Sequence, residues 1–288
     1  MVQHERIAEG VYAFQSEAYA QVMAGVVVGT QGALVIDTLA LPEETLAMGE
    51  FIEEELQVPV RYVVNTHYHA DHAWGNGFFP GAVIIGHELT RRWLFEKGQK
   101  ALEQARQQDP SFQRVRLVPP EWTFQQGRVT LKLGRKTVTL IPLPGHSADG
   151  IGVLVEEDRV LFAGDVMMPL PYLVDGDYEA MVASHKLIAK MHLENLIPGH
   201  GEIVLRGEIP ELVKSNLAYL NELRKAVRQA HRRKYPGDYL QEISVEDCGK
   251  SRVLLGGLAE ALHQRNLRAL YRQFYGEPPA TSPEDEYD

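Results

Sequence analysis

The chain has 288 residues, enough to bury a substantial core without disulfides or structural metals, and its 44% apolar and 24% charged content is ordinary for a globular protein. Its net charge of −10, from 39 acidic and 29 basic side chains, argues against nucleic acid as the main partner, because phosphate neutralisation needs clustered Lys and Arg. A single cysteine, Cys248, excludes an internal disulfide; the apolar stretches are strand-sized, with no membrane span, and the opening MVQHERIAEGVYAFQ carries no apolar leader, so a cytoplasmic protein is expected.

In chain order, Val11 to Gln15 and Val22 to Val28 read as strands, rich in β-branched and aromatic residues. A turn at Thr30-Gln31-Gly32 leads to a strand from Ala33 to Ile36, ending at Asp37. Pro42 opens a helix, with Glu43 and Glu44 suited to its positive end and Met48, Ile52 and Leu56 forming an apolar stripe. Arg61 to Asn65 is a short strand delivering the chain to His67, and Ala82 to Ile85 is another. Glu88 to Gln108 is predicted as a charged helix. Val129 to Leu133 pairs with Thr137 to Leu143, and Gly152 to Val155 pairs with Val160 to Phe162, ahead of Asp165. Tyr178 to Met191 is predicted helical, and Leu196-Ile197 leads into Pro198-Gly199-His200.

The runs VVVGTQGALVID and GVLVEEDRVLFAGD share strand, tight turn, strand and Asp, which hints at two similar halves, each a sheet flanked by helices. Beyond about residue 206, Val213, Leu217, Leu220 and Val227 mark one amphipathic helix, and Leu254, Leu258 and Leu262 another. The expected organisation is a first domain over 1–206, a helical extension over 207–276 packed on it, and a disordered acidic tail over 277–288.

The decisive segment is Asn65-Thr66-His67-Tyr68-His69-Ala70-Asp71-His72, with four potential metal ligands in six residues. In extended chain His67 and His69 point to one side and can share an ion. Asp71 and His72 fall where the chain turns toward a helix, which can aim them at a second ion. Taken alone, Asp71 reads as a helix cap and the histidines as surface residues. The full H-x-H-x-D-H pattern after an apolar strand outweighs that reading.

Three more candidates, His146, Asp165 and His200, each follow a strand and a Gly-bearing turn, where loops on a rigid scaffold converge. His4, His87, His185, His192, His231 and His263 lack that setting and receive no role; Cys248 reads as a small structural residue. Imidazole and carboxylate without thiolate suit zinc first, with iron(II) or manganese as the other metals this donor set takes. Seven ligands exceed one tetrahedral zinc and suit a pair.

These residues resemble the metallo-β-lactamase superfamily: THYHADH at 66–72, PGH at 144–146, GD at 164–165 and PGHG at 198–201, in the same order and rough spacing, over about residues 10 to 205. The resemblance implies an α/β fold, a four-layer αββα sandwich, here with a C-terminal helical extension. Together with the ligand chemistry it implies His67, His69 and His146 on one zinc, Asp71, His72 and His200 on the other, and Asp165 bridging both. His72 and Asp165 look more like glyoxalase II and lactonases than class B β-lactamases, which carry a cysteine or serine ligand.

The expected function is a binuclear hydrolase in which a metal-bridging hydroxide, oriented and deprotonated by Asp71, cleaves an ester, thioester, lactone or lactam. Tyr68, Trp74, Met168 and Tyr172 are the expected lining of the substrate pocket. The rival readings are a mononuclear-iron oxidoreductase resembling persulfide dioxygenases, a nucleic-acid-processing enzyme, and a non-catalytic metal-binding protein. The expected partner is a small-molecule substrate, without nucleic acid or membrane, and a homodimer through the C-terminal helices is a further expectation.

Overall fold

The computed structural model describes residues 2–277; of the expected acidic tail, 278–288 fall outside the described residues. The described residues divide into two compact units: 2–143 with Asp149–Gly164 and His192–Arg206, and Pro144–Ala148 with Asp165–Met191 and 207–277.

The first unit holds two sheets. One contains β1 (Val2–Ala8), β2 (Val11–Ser16), β3 (Met23–Gly29), β4 (Gly32–Ile36), β5 (Val60–Val64), β6 (Val83–His87) and β7 (Trp122–Phe124), in that spatial order. Strands β1 to β4 run antiparallel, and β4 to β7 run parallel. A parallel step needs a crossover, supplied between β4 and β5 by helix α1 (Pro42–Glu54). The other sheet has β8 (Val129–Leu133), β9 (Lys136–Pro142), β10 (Ile151–Val155), β11 (Val160–Gly164), β12 (Asn195–Pro198) and β13 (Val204–Leu205), with only β11 and β12 parallel.

The period-two rule sorts the side chains of β4. Leu34 and Ile36 enter a core shared with Val138, Leu140, Val153, Val155 and Phe162 of the other sheet. Ala33 and Val35 enter a second core with Met48 and Ile52 of α1. Each such fully buried aliphatic side chain contributes about 1.5–3 kcal/mol of transfer free energy. The sheets approach closely at Gly25, where an added Cβ would stand 2.2 Å from the Phe162 ring.

Three strands absent from the sequence-based reading, β1, β7 and β13, are short or exposed edge elements. Edge strands need no apolar alternation, so no pattern announces them. Between β5 and β6 lie α2 (Ala70–Ala73) and a 3₁₀ turn, Trp74–Phe78. The helix predicted over 88–108 is interrupted: α3 (Glu88–Trp93) and α4 (Gln99–Gln108) flank a π turn, Leu94–Gly98. Leu94 and Leu102, eight residues apart, share one buried cluster with Trp74 and Val115. Positions eight apart fall within one apolar helix stripe, and the π turn between α3 and α4 leaves both leucines facing that cluster.

The second unit carries α5 (Tyr178–Ile188), α6 (Ile209–His231), α7 (Pro236–Gln241) and α8 (Ala259–Tyr275). Helix α5 ends three residues before the predicted Met191, where Lys190 and Met191 donate to the carbonyls three residues back and tighten the last turn. Helix α6 packs against α5, α7 and α8 through Val213, Tyr219, Leu220, Leu223 and Val227. Among the described residues no helix is long and apolar enough to cross a membrane.

Inside this unit His185 is fully buried; its Nδ1 donates to the Met181 carbonyl (2.9 Å) and its Nε2 accepts from Asn216 Nδ2 (3.2 Å). Burial holds its pKa down at about 4. The folded state therefore keeps His185 neutral while the unfolded chain protonates it near 6.5, so its contribution is complete above pH 6.5 and drains away as pH falls toward 4. Stability should drop by up to about 1.4 kcal/mol per pH unit across that window, and His185→Gln should flatten the slope in urea titrations at pH 4.5, 5.5 and 7.

Candidate metal centre

The parallel pairs β4–β5 and β11–β12 bring strand carboxyl ends together, the usual place for ligands in such sheets. In the first unit β4 ends at Asp37, β5 at the Asn65–His72 segment, and β12 at His200. The junction is stitched by backbone bonds: Met23 N–H to Gly199 O (2.8 Å), Gly201 N–H to Gln21 O (3.0 Å), Gly199 N–H to Gly164 O (2.9 Å) and Ile151 N–H to Thr66 O (2.9 Å). Gly164, with φ +58°, has no alternative here, because a Cβ would sit 2.8 Å from the Thr66 side chain.

Asp37 is the hidden centre of this geometry. Its Oδ1 accepts from the Thr66 N–H (2.7 Å), and its Oδ2 accepts from the Thr66 hydroxyl (2.7 Å) and from His72 Nδ1 (2.9 Å). Burial pushes its carboxyl above the ordinary range, opposed by His72 and the Thr66 bonds, which favour the charged form. Asp37 holds φ +56°, a left-handed conformation that aspartate tolerates better than most residues. The Thr66 hydroxyl lies 3.1 Å from His67 Nδ1, so one carboxylate orients two imidazoles, directly and through a hydroxyl. The backbone behind His72 is equally fixed, since its carbonyl accepts from Thr38 N–H, the Thr38 hydroxyl and Asn65 Nδ2 at 3.0–3.1 Å.

His200 Nδ1 donates to the Ala20 carbonyl (2.9 Å). In His67, His72 and His200, Nδ1 is thus engaged and Nε2 is the atom presented, while His69 presents Nδ1, 3.0 Å from His67 Nε2. Two ligands of one tetrahedral zinc stand roughly 3.3 Å apart, given metal–nitrogen bonds of about 2.0–2.1 Å. His200 Nε2 and Asp71 Oδ2 are 3.2 Å apart, and His72 Nε2 is 3.8 Å from the same oxygen. Asp71, His72 and His200 form one group of converging donor atoms, all within 4.8 Å of one another.

In the second unit His146 and Asp165 lie together, with His146 Nε2 3.4 Å from Asp165 Oδ2. Here too Nδ1 is engaged, donating to the Tyr172 carbonyl (2.8 Å). All seven sequence-predicted ligands are therefore placed with a donor atom facing another ligand at metal-like spacing, and four of the five histidines have the opposite nitrogen held by an oxygen. This donor set fits a hard or borderline divalent metal.

The expected lining residues divide. The Tyr68 ring lies 4.5 Å from that of His69, and Tyr172 stacks obliquely beside His146 at 5.6 Å. Trp74 turns into the buried cluster with Leu94 and meets Phe112 edge-on, and Met168 is buried with its carbonyl accepting from Asn216. Asp37, Thr66, Thr38 and Asn65 escaped the sequence-based reading; the one signal for Asp37 was its position at the end of the repeated strand–turn–strand–Asp pattern.

Comparison with known proteins shows the family and the fold. Residues 19–237 match the metallo-beta-lactamase superfamily, and the chain belongs to that family. Acyl-coenzyme A thioesterase MBLAC2 from Homo sapiens is 27% identical over 233 residues, covering 68% of this chain and 80% of that protein. Thioesterase pkgB from Emericella nidulans is 26% identical over 176 residues, covering 60% of this chain and 43% of that protein. The chain spans about half the length of two of the curated relatives it matches. A metallo-beta-lactamase from Pontibacter korlensis superposes with a TM-score of 0.61 at 21% identity, over 74% of this chain and 99% of that one, which shows the shared αββα fold.

Asp37→Asn keeps the side-chain shape but removes the charge that orients His72. In a chelator-competition titration it should weaken zinc binding by about 10–100-fold, while Glu43→Gln on the exposed start of α1 should leave it unchanged.

Proposed function

We propose that the chain is a binuclear metal hydrolase acting on acyl compounds, with thioesters as its first substrate class. The observation that carries this reading is the convergence of Asp71, His72 and His200, a complete second donor group beside the His67–His69 pair. A mononuclear iron centre would not need that group. In this reading His67, His69 and His146 hold one ion, Asp71, His72 and His200 the other, and Asp165 is shared. Zinc is the preferred metal for an all-imidazole and carboxylate set.

When bound, such a metal pair lowers the pKa of water and acts as a Lewis acid toward the acyl carbonyl. The rest of the chemistry belongs to the chain. Asp37, Ala20 O and Tyr172 O hold the Nδ1 protons of His72, His200 and His146, fixing each ring in orientation and making Nε2 its ligating atom. Asp71, part-exposed where the other carboxylates are buried, is the base that accepts the proton of the attacking water. Tyr68 and Tyr172, beside His69 and His146, flank the acyl group. The thioester preference is supported by the thioesterases among the relatives. The single cysteine, Cys248, suits a reducing compartment such as the cytoplasm.

Purified protein should carry about two equivalents of zinc and hydrolyse an acyl-coenzyme A in preference to matched oxygen esters, lactones and lactams. Asp71→Ala and His69→Ala should each lower kcat/KM by at least about a hundredfold with the far-ultraviolet circular dichroism unchanged. Full activity in either variant, or one equivalent of iron with oxygen uptake, would rule the proposal out.

A further inference from the structure

We propose that Asn216 on α6 and Asn266 on α8 are positioning residues for the metal ligand His146, which makes the C-terminal helices a working part of the metal centre; this rests on the metal-centre reading above. The stretch between Asp165 and α5 has no regular secondary structure, so its backbone groups must find partners elsewhere. Two side chains supply them. Asn216 Nδ2 donates to the Met168 carbonyl (2.9 Å). Asn266 Nδ2 donates to the Pro171 carbonyl (2.7 Å), and its Oδ1 accepts from the Leu173 N–H (2.7 Å).

Asn266 therefore grips the chain on both sides of Tyr172. The Tyr172 carbonyl, held between those two points, is the group that accepts from His146 Nδ1. Fixing that carbonyl fixes the imidazole plane and leaves Nε2 directed at Asp165 Oδ2, 3.4 Å away. A planar amide suits the task because it offers an acceptor and donors in one rigid group.

The two asparagines are themselves locked. Both are completely buried in helix stripes that are otherwise largely apolar, between Val213 and Leu220 on α6 and beside Leu267 and Leu270 on α8. A buried amide is unfavourable there unless all its bonds are made. Asn216 Oδ1 accepts from Lys250 Nζ (2.7 Å). Asn266 Nδ2 also donates to the Tyr219 hydroxyl (3.0 Å), which bonds in turn with His263 Nδ1 (3.0 Å). Helices serving only to cover a core would carry Leu or Ala at these positions.

The test uses the full chain and reads metal binding rather than turnover. Zinc affinity is measured by competition with a chromophoric chelator, and ligand geometry by the visible spectrum of the cobalt(II)-loaded protein. Asn266→Ala should weaken zinc binding about tenfold, the lower end for residues acting behind a ligand, and should shift the cobalt bands. Leu267→Ala, a cavity on the same helix, should lower Tm yet leave affinity and spectrum at wild-type values. Should Asn266→Ala not fold, Asn216→Ala decides, with a smaller loss in the same direction expected. Wild-type affinity and spectrum in the folded asparagine variants, or an equal shift in Leu267→Ala, would overturn the proposal. A wild-type chain that takes up neither zinc nor cobalt would instead sink the metal-centre reading itself.

Discussion

The carboxylate of Asp37 sits in the interior between the Thr66 backbone, the Thr66 hydroxyl and the His72 ring, and much of the first unit is arranged so that this charge has its partners. A buried carboxylate deprived of its donors costs several kcal/mol, so the end of β4 and the chain after β5 are held to one relative placement. That placement sets the tautomer of His72 and, through Thr66, of His67. Thr66 also accepts from Ile151 at the start of β10, which carries the same constraint to the second sheet. The left-handed Asp37 is local strain that this packing sustains, whereas Gly164 adopts the same region without a steric cost.

Parallel strand pairs explain why candidate ligands of the first unit, Asp71 and His72 on one side and His200 on the other, meet although they are distant along the chain. Strands β4 and β5 end side by side in one sheet and β11 and β12 in the other, and Val22 bridges to His200 between them. Each ligand follows its strand within a few residues, so little flexible chain intervenes between the scaffold and the donor atom. Short tethers leave few conformations to lose, which favours metal capture by a preorganised set.

The helices of the second unit obey a different economy. Their interior is not uniformly apolar: Asn216, Asn266, His185, His263, Tyr219 and Lys250 are buried and mutually satisfied. Burial lowers the Lys250 ammonium to about 8 and raises the Cys248 thiol to about 12, so the cysteine is an inert thiol rather than a nucleophile. Such a network specifies one arrangement where an oily interface would accept several. Its outward bonds go to the backbone beside Tyr172, and hence to the hydrogen-bond partner of His146.

The candidate donor residues and their spacing were legible from the chain alone, because metal chemistry demands particular side chains and H-x-H-x-D-H after an apolar strand has few other uses; that these side chains converge is seen only in the structure. The strands that bury both faces were legible for the same reason: their apolar runs have a physical cause that is local. Edge strands β1, β7 and β13, the π turn between α3 and α4, and the hydrogen-bond partners of Asp37, Thr66, Asn216 and Asn266 were decided only by tertiary structure. An aspartate at a strand end or an asparagine in a helix stripe acquires its role from whichever groups the fold brings within hydrogen-bond reach. That proximity is a property of the packed chain, to which neighbouring residues in the sequence contribute nothing.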